Sequence, residues 1–299
     1  MAGSRRKEAH ARLERDPDPR PVRAPRARRG PLLPVREHRR GHLEGPGDRL
    51  RHVLEHRPGR MARPDPCLPA PADFWSHTQY WAPEVHRHGG AFYMFATFTA
   101  EGRRRGTQVL RAERPEGPYA PWSPRPLTPR DWECLDGTLH VEDGTPYMVF
   151  CHEWKDVGDG EIRAVRLTPD LRGAVGEPLL LFTASEAPWT RPLDRPGPTA
   201  HVTDGPFLHR SKEGELLMLW SSMGEGGYAL GVAVSESGGV RGPWRQAEEA
   251  LWPRDGGHGM VFADAAGRLL LALHHPNRTP EERARFIEVE EVPGGLALR

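Results

Sequence analysis

Residues 1–70 contain no phenylalanine, tryptophan or tyrosine. So little apolar surface cannot offset the entropy of ordering a chain rich in Arg, Pro and His, which excludes a self-standing folded unit there. Two readings of the stretch compete: a disordered basic arm, or a segment that is not the native reading frame of its gene. Arg, Pro, Gly and Ala are the residues of GC-rich codons. The second reading accounts better for the abrupt change at Pro71-Ala72-Asp73-Phe74-Trp75, where an aromatic-rich pattern begins with no linker. A nucleic-acid arm would interleave aromatics with its cations for base stacking; these are missing, so no nucleic-acid partner is expected. Cysteine is scarce: Cys67, Cys134 and Cys151 form an odd set without metal-site spacing, which excludes a disulfide framework. No apolar run approaches the roughly 20 residues that span a bilayer, and the charged N-terminus leads into no apolar signal core. A cytoplasmic protein with no membrane partner is the expectation. An excess of one charge is also lacking, since the net charge is +1 over 299 residues, which demands no polyanionic partner.

What is present after residue 70 is one pattern spoken four times. Its clearest copy is 135–152, LDGTLHVEDGTPYMVFCH. An acidic residue stands beside a glycine, an alternating strand follows, and the turn Glu142-Asp143-Gly144 leads to a more apolar strand. Two such runs joined by Asp-Gly read as a β-hairpin. The other copies are 80–98 with a Gly89-Gly90 turn, 203–222 with Lys212-Glu213-Gly214 at its turn, and 257–275. Third strands are predicted at 107–113, 161–167 and 228–235, a fourth near 179–182, and a late strand at 285–291. Gly-Pro-Tyr and Gly-Pro-Trp follow the third strands of the first and third copies, which supports true repetition. Four short antiparallel strands at a period of roughly 50–70 residues predict propeller blades. The expectation is an all-β, five-bladed β-propeller: four blades are clear within 71–299, and the first, within 1–70, is degenerate or disordered.

In a propeller the innermost strand of each blade lines the central channel. Each copy starts that strand with a polar residue: Glu84 after Trp-Ala-Pro, Asp136, Asp204, and His258 between glycines. A ring would bring all four to one mouth. Carboxylates converging beside tryptophans suit glycoside hydrolysis, where one carboxylic acid protonates the leaving oxygen and one carboxylate activates water. Neighbouring like charges raise the pKa of the acid. Trp75, Trp81 and Trp154 would stack on sugar faces and, with Glu84 and His258, are the substrate-binding candidates. Each residue also has a plainer reading. Asp-Gly is common turn chemistry, Glu84 could be a structural acceptor, His258 a satisfied core histidine, and each tryptophan a core residue. The joint pattern is what points to sugar chemistry.

YWAPEV, LDGTLHVEDGTPYMVFCHEW, VTDGPFLHR and DGGHGMVF, in this order, resemble glycoside hydrolase family 43 over residues 74–299. The resemblance implies a five-bladed propeller acting as a β-xylosidase, α-L-arabinofuranosidase, arabinanase or galactofuranosidase with inversion at the anomeric carbon. It implies an aspartate base in the first blade, an aspartate that tunes and orients, and a glutamate acid. Asp136 matches the tuning aspartate. Asp204 falls on the acid position, but stands in Asp-Gly-Pro where the family has Glu-Gly-Pro, one methylene longer. Glu153, in Cys-His-Glu-Trp, is the second candidate for the acid. Asp16, in Arg15-Asp16-Pro17, matches the base, although the β pattern that should follow it is missing. His258 matches a histidine that in some members helps hold a water or a calcium ion; no cofactor is required, and calcium near His258 is the one left open. The expected function is an inverting glycosidase on α-L-arabinofuranosides or β-xylosides of plant-type oligo- or polysaccharides. The alternative is a non-catalytic sugar-binding propeller that lacks a competent base.

Overall fold

The computed structural model describes residues 67–299. Asp16 and the blade expected within 1–70 lie outside them, and blades are numbered below by the sheets that the described residues form. The described residues build four antiparallel four-stranded sheets. The first holds β1 (Thr78–His88), β2 (Ala91–Ala100), β3 (Arg103–Ala112) and β4 (Ala120–Pro121). The second holds β5 (Cys134–Glu142), β6 (Thr145–His152), β7 (Glu161–Leu167) and β8 (Ala174–Thr183). In the third are β9 (Asp204–Arg210), β10 (Leu216–Gly224), β11 (Gly227–Ser235) and β12 (Trp244–Gln246), and in the fourth β13 (Gly257–Ala263), β14 (Leu269–His275), β15 (Arg283–Val292) and β16 (Gly295–Leu298). In every sheet each strand pairs with its neighbours in sequence, the meander of a propeller blade.

Local chemistry explains the hairpins. Asp143 and Gly144 both adopt left-handed backbone, with φ of 49° and 76°. That is the pair a two-residue type I′ turn needs to match strand twist. The second strand of each blade is buried on both faces, and its side chains alternate between neighbouring blades. Along β10, Leu216, Met218 and Trp220 pack with Val149, Cys151 and Ile162 of the second blade. Leu217 and Leu219 face Val261 and Leu271 of the fourth. Along β2, Tyr93 and Phe95 meet Met148 and Phe150, while Met94, Ala96 and Phe98 face the other way with Phe74 and Tyr119. The blades therefore stack in order, one to two to three to four. The first blade begins earlier than the aromatic run suggests, because the Cys67 carbonyl accepts the Tyr119 N–H at 2.7 Å.

Two strands depart from expectation. The third strand of the first blade starts at Arg103 rather than at 107. Arg105 lies at an irregularity of that strand and is buried because Glu153 neutralises it at 2.7 Å. The fourth strand of the second blade runs 174–183 rather than only 179–182.

Among the described glycines the least room is at Gly231 on β11, against the segment that connects the second and third blades. A Cβ there would fall inside the indole of Trp189, itself packed on Trp220 at 4.8 Å between ring centres. Gly231→Ala is expected to lower unfolding stability by about 3 kcal/mol, the upper part of the overpacking range. Urea denaturation checks it; a change within about 0.5 kcal/mol, typical of a harmless surface site, would show that the indole has room to move.

Candidate active site

Each innermost strand breaks register near its start. The breaks lie between Trp81 and Glu84, between Leu135 and Thr138, on β9 opposite Leu219 and Ser221, and between Gly257 and Met260. At each break stands a residue in left-handed backbone: Ala82 (φ 45°), Asp136 (56°), Gly205 (51°) and His258 (50°). These are β-bulges, which re-aim side chains and free backbone donors. The four residues expected at the channel mouth take different positions relative to these bulges. Asp136 and His258 occupy the bulge, Asp204 precedes it, and Glu84 lies two residues beyond it. The shift arises because Ala82 and Gly205 hold the bulge in the first and third blades.

Hydroxyls of the preceding blade satisfy the donors that the bulges free. Asp136 N–H donates to Thr97 Oγ1 at 2.9 Å and Gly137 N–H to Thr107 Oγ1 at 3.1 Å. His258 N–H donates to Ser221 Oγ at 2.8 Å. Gly205 N–H donates instead to the Asp136 carboxylate, Oδ2, at 3.0 Å. The same oxygen lies 3.7 Å from His258 Nδ1. Position 205 must be glycine, since a Cβ would come within 2.8 Å of the His258 ring in a left-handed backbone. Bulges of three blades thus meet around one carboxylate.

Asp204 adds the second carboxylate, whose Oδ2 accepts the Tyr228 hydroxyl at 2.9 Å. Burial pushes Asp136 up to about 7, with the Glu153 and Glu84 charges adding to it and the Gly205 N–H opposing. Burial also pushes Asp204 up to about 7, reinforced by the Asp136 charge and opposed by His258 and Tyr228. The Asp136 charge thus opposes ionisation of Asp204 at neutral pH. Burial lowers His258, against the pull of Asp204 and Glu84.

Glu84 accepts from Thr138 Oγ1 at 2.7 Å and lies 2.7 Å from His86 Nε2. Glu153 precedes the single-turn helix α1 (Trp154–Val157) and is held by Arg105 at 2.7 Å and Lys155 at 3.3 Å. That ion pair occupies the edge a proton donor would need. Trp81 is 41 % exposed, with the Arg105 guanidinium over its ring at 4.4 Å. Trp154 lies under Arg195 at 4.7 Å. Trp75 is half-buried and donates Nε1–H to Gln108 Oε1 at 2.5 Å. Asp136 thus meets His258 and the Gly205 N–H directly, Asp204 is linked to Asp136 and His258 through charge, Glu84 and Glu153 also act through charge, and Asp16 falls outside the described residues. Sequence reasoning missed Tyr228, Thr97, Ser221 and Arg105. Thr97 and Ser221 carried a faint signal: each is a hydroxyl near the end of an otherwise apolar second strand. Among the described residues no group of three or more His, Cys, Asp or Glu side chains is placed to hold a metal ion, so no step below is routed through calcium. No helix among them is long and apolar enough to cross a membrane.

Blades packed around Asp136 and Asp204, both with pKa raised to about 7, suit the proton chemistry of a glycosidase, an enzyme that hydrolyses O-glycosyl bonds. The family model for glycosyl hydrolases family 43 matches residues 62–289, and the chain belongs to that family. Among solved structures, an endo-arabinase from Bacteroides thetaiotaomicron is 45% identical, with a TM-score of 0.72 over 76% of this chain and 80% of that one. An endo-1,4-beta-xylanase from the same organism is 22% identical, with a TM-score of 0.60 over 75% and 77%. An alpha-L-arabinofuranosidase from Lactobacillus brevis is 18% identical, with a TM-score of 0.61 over 77% and 78%. The last two speak to the fold alone. No curated protein matches the chain.

Proposed function

We propose that this glycosidase hydrolyses α-L-arabinofuranosyl linkages of arabinan or its oligosaccharides by a single displacement with inversion. The observation that carries the mechanism is the placement of Asp136 and Asp204, both lifted to about 7, Asp136 by burial with the charges of Glu153 and Glu84, and Asp204 by burial with the charge of Asp136. Asp204 is the general acid: its carboxyl holds a proton at neutral pH and passes it to the leaving oxygen. Tyr228 fixes its orientation. Asp136 orients and tunes, anchored by the Gly205 N–H. Glu153 is set aside as the acid because Arg105 and Lys155 engage it. Asp16 keeps the role of water-activating base that the family resemblance gives it. The choice of arabinose over xylose is supported by the 45% identity to a structure titled as an endo-arabinase.

Incubating the purified full chain with arabinan, arabino-oligosaccharides and xylo-oligosaccharides tests this reading. Release of arabinose-containing products, with inversion seen by proton NMR, is expected. Turnover of xylo-oligosaccharides alone would overturn the choice of sugar. Binding of arabino-oligosaccharides without any turnover would overturn the mechanism.

A further inference from the structure

On the mouth side of the first blade, the turn between β2 and β3 and the chain entering the second blade enclose a cavity of ≈ 350 Å³. Trp75, Arg103, Arg104, Arg105, Arg125 and Arg130 line it. Five guanidinium groups around one hollow repel one another unless something neutralises them. Protein carboxylates do so for two: Arg104 pairs with Glu133 and Asp156 at 3.3 and 3.0 Å, and Arg105 with Glu153 at 2.7 Å. Arg103, Arg125 and Arg130 are exposed and have no ion-pair partner among the described residues. Arg103 lies over the Trp75 ring at 5.7 Å. The hollow therefore joins an aromatic ring, the usual platform for a sugar face, to three guanidinium forks free of ion pairs among the described residues, one of them over that ring, and such forks match carboxylate geometry.

Its position ties it to the carboxylate pair. Thr107, which caps the bulge beside Asp136, lies on the same strand as Arg103 and Arg105. Four residues of strand place Arg103 about 13 Å from Thr107. A short oligosaccharide spans that separation. Arg105 bridges the two regions, since its charge also acts on Asp136.

We infer that this cavity binds the carboxylate of an acidic sugar, a uronate unit carried by the polysaccharide whose neutral linkage is cut at Asp204. The inference rests on the function proposed above for its polysaccharide setting, but its test reads binding and not turnover. The full chain is titrated calorimetrically with trigalacturonate and with neutral galactotriose. The comparison variant combines Arg103→Ala, Arg125→Ala and Arg130→Ala, with its melting temperature as the control for folding. Trigalacturonate is expected to bind the wild type about tenfold or more tighter than galactotriose, and the triple variant to lose that margin, since two or three charge-assisted contacts are at stake. Turnover of nitrophenyl arabinofuranoside is expected to change by about twofold or less, because exposed charges remote from the reacting atoms act weakly. Should the triple variant melt early, Arg125→Glu alone replaces it, with the same loss expected. Equal binding of the two trisaccharides, or a variant that binds trigalacturonate unchanged, overturns the inference. So does displacement by inorganic sulfate as easily as by galacturonate, which marks a general anion hollow, or tighter binding of single-stranded DNA. Uronate binding in a chain that turns over no arabinofuranoside would sink the proposed function and leave this site standing.

Discussion

Asp204→Asn is expected to lower kcat/KM on arabino-oligosaccharides by about 10²- to 10⁴-fold, the usual contribution of a positioned proton donor. On a dinitrophenyl arabinofuranoside the loss should be far smaller, because that leaving group departs without a proton. The contrast separates an acid from a residue that only shapes the pocket, whose loss would harm both substrates alike. Folding is controlled within the same experiment. Asparagine keeps an oxygen to accept the Tyr228 hydroxyl, so the local hydrogen bond survives. Burial holds Asp204 near 7 in the fold, above its ordinary value of 3.8. The folded state thus binds the proton more tightly than the unfolded chain, and stability from this group is full below about pH 4 and lost as pH rises through 7. Asparagine never ionises, so the variant should melt higher than wild type at pH 8 and similarly at pH 4. A lower melting temperature at both pH values, or equal losses on the two substrates, would remove Asp204 from the acid's role.

The strands were legible because their punctuation is local. Asp143-Gly144 dictates a type I′ turn whatever surrounds it, and the register of β5 and β6 follows. Asp136 and Asp204 were legible because Asp-Gly opens both strands in a repeated frame. The bulges were not. A left-handed φ at Asp136 and His258 depends on hydroxyls that Thr97 and Ser221 supply from other blades, and no local pattern announces a partner 39 or 37 residues away. The third strand of the first blade, predicted from 107, left out Arg103-Arg104-Arg105 for the same reason: the partners of Arg104 and Arg105, which are Glu133, Asp156 and Glu153, belong to the next blade. Tyr228 looked like an ordinary strand residue until the third blade's hairpin laid its hydroxyl on Asp204.

Asp136→Asn tests whether the two carboxylates act as one unit. Asparagine tolerates the left-handed backbone that position 136 adopts, and its amide oxygen still accepts the Gly205 N–H, so the bulge is preserved. What goes is a charge. After burial, that charge is the largest influence raising Asp204. Without it Asp204 releases its proton at lower pH. The alkaline limb of the kcat/KM profile should therefore move toward acid by about one pH unit or more, the scale of a like-charge interaction at close range. The loss of activity is expected to be steep at pH 8 and shallow at pH 5, where Asp204 stays protonated in both proteins. Asp136→Asn combined with Asp204→Asn should cost little more than Asp204→Asn alone, because a tuning charge has nothing to tune once the acid is gone. Equal losses at every pH, with the limb unmoved, would mean that Asp136 contributes by contact with substrate and not through its neighbour. The raised pKa of Asp204 would then be a property of the resting fold with no part in cleavage.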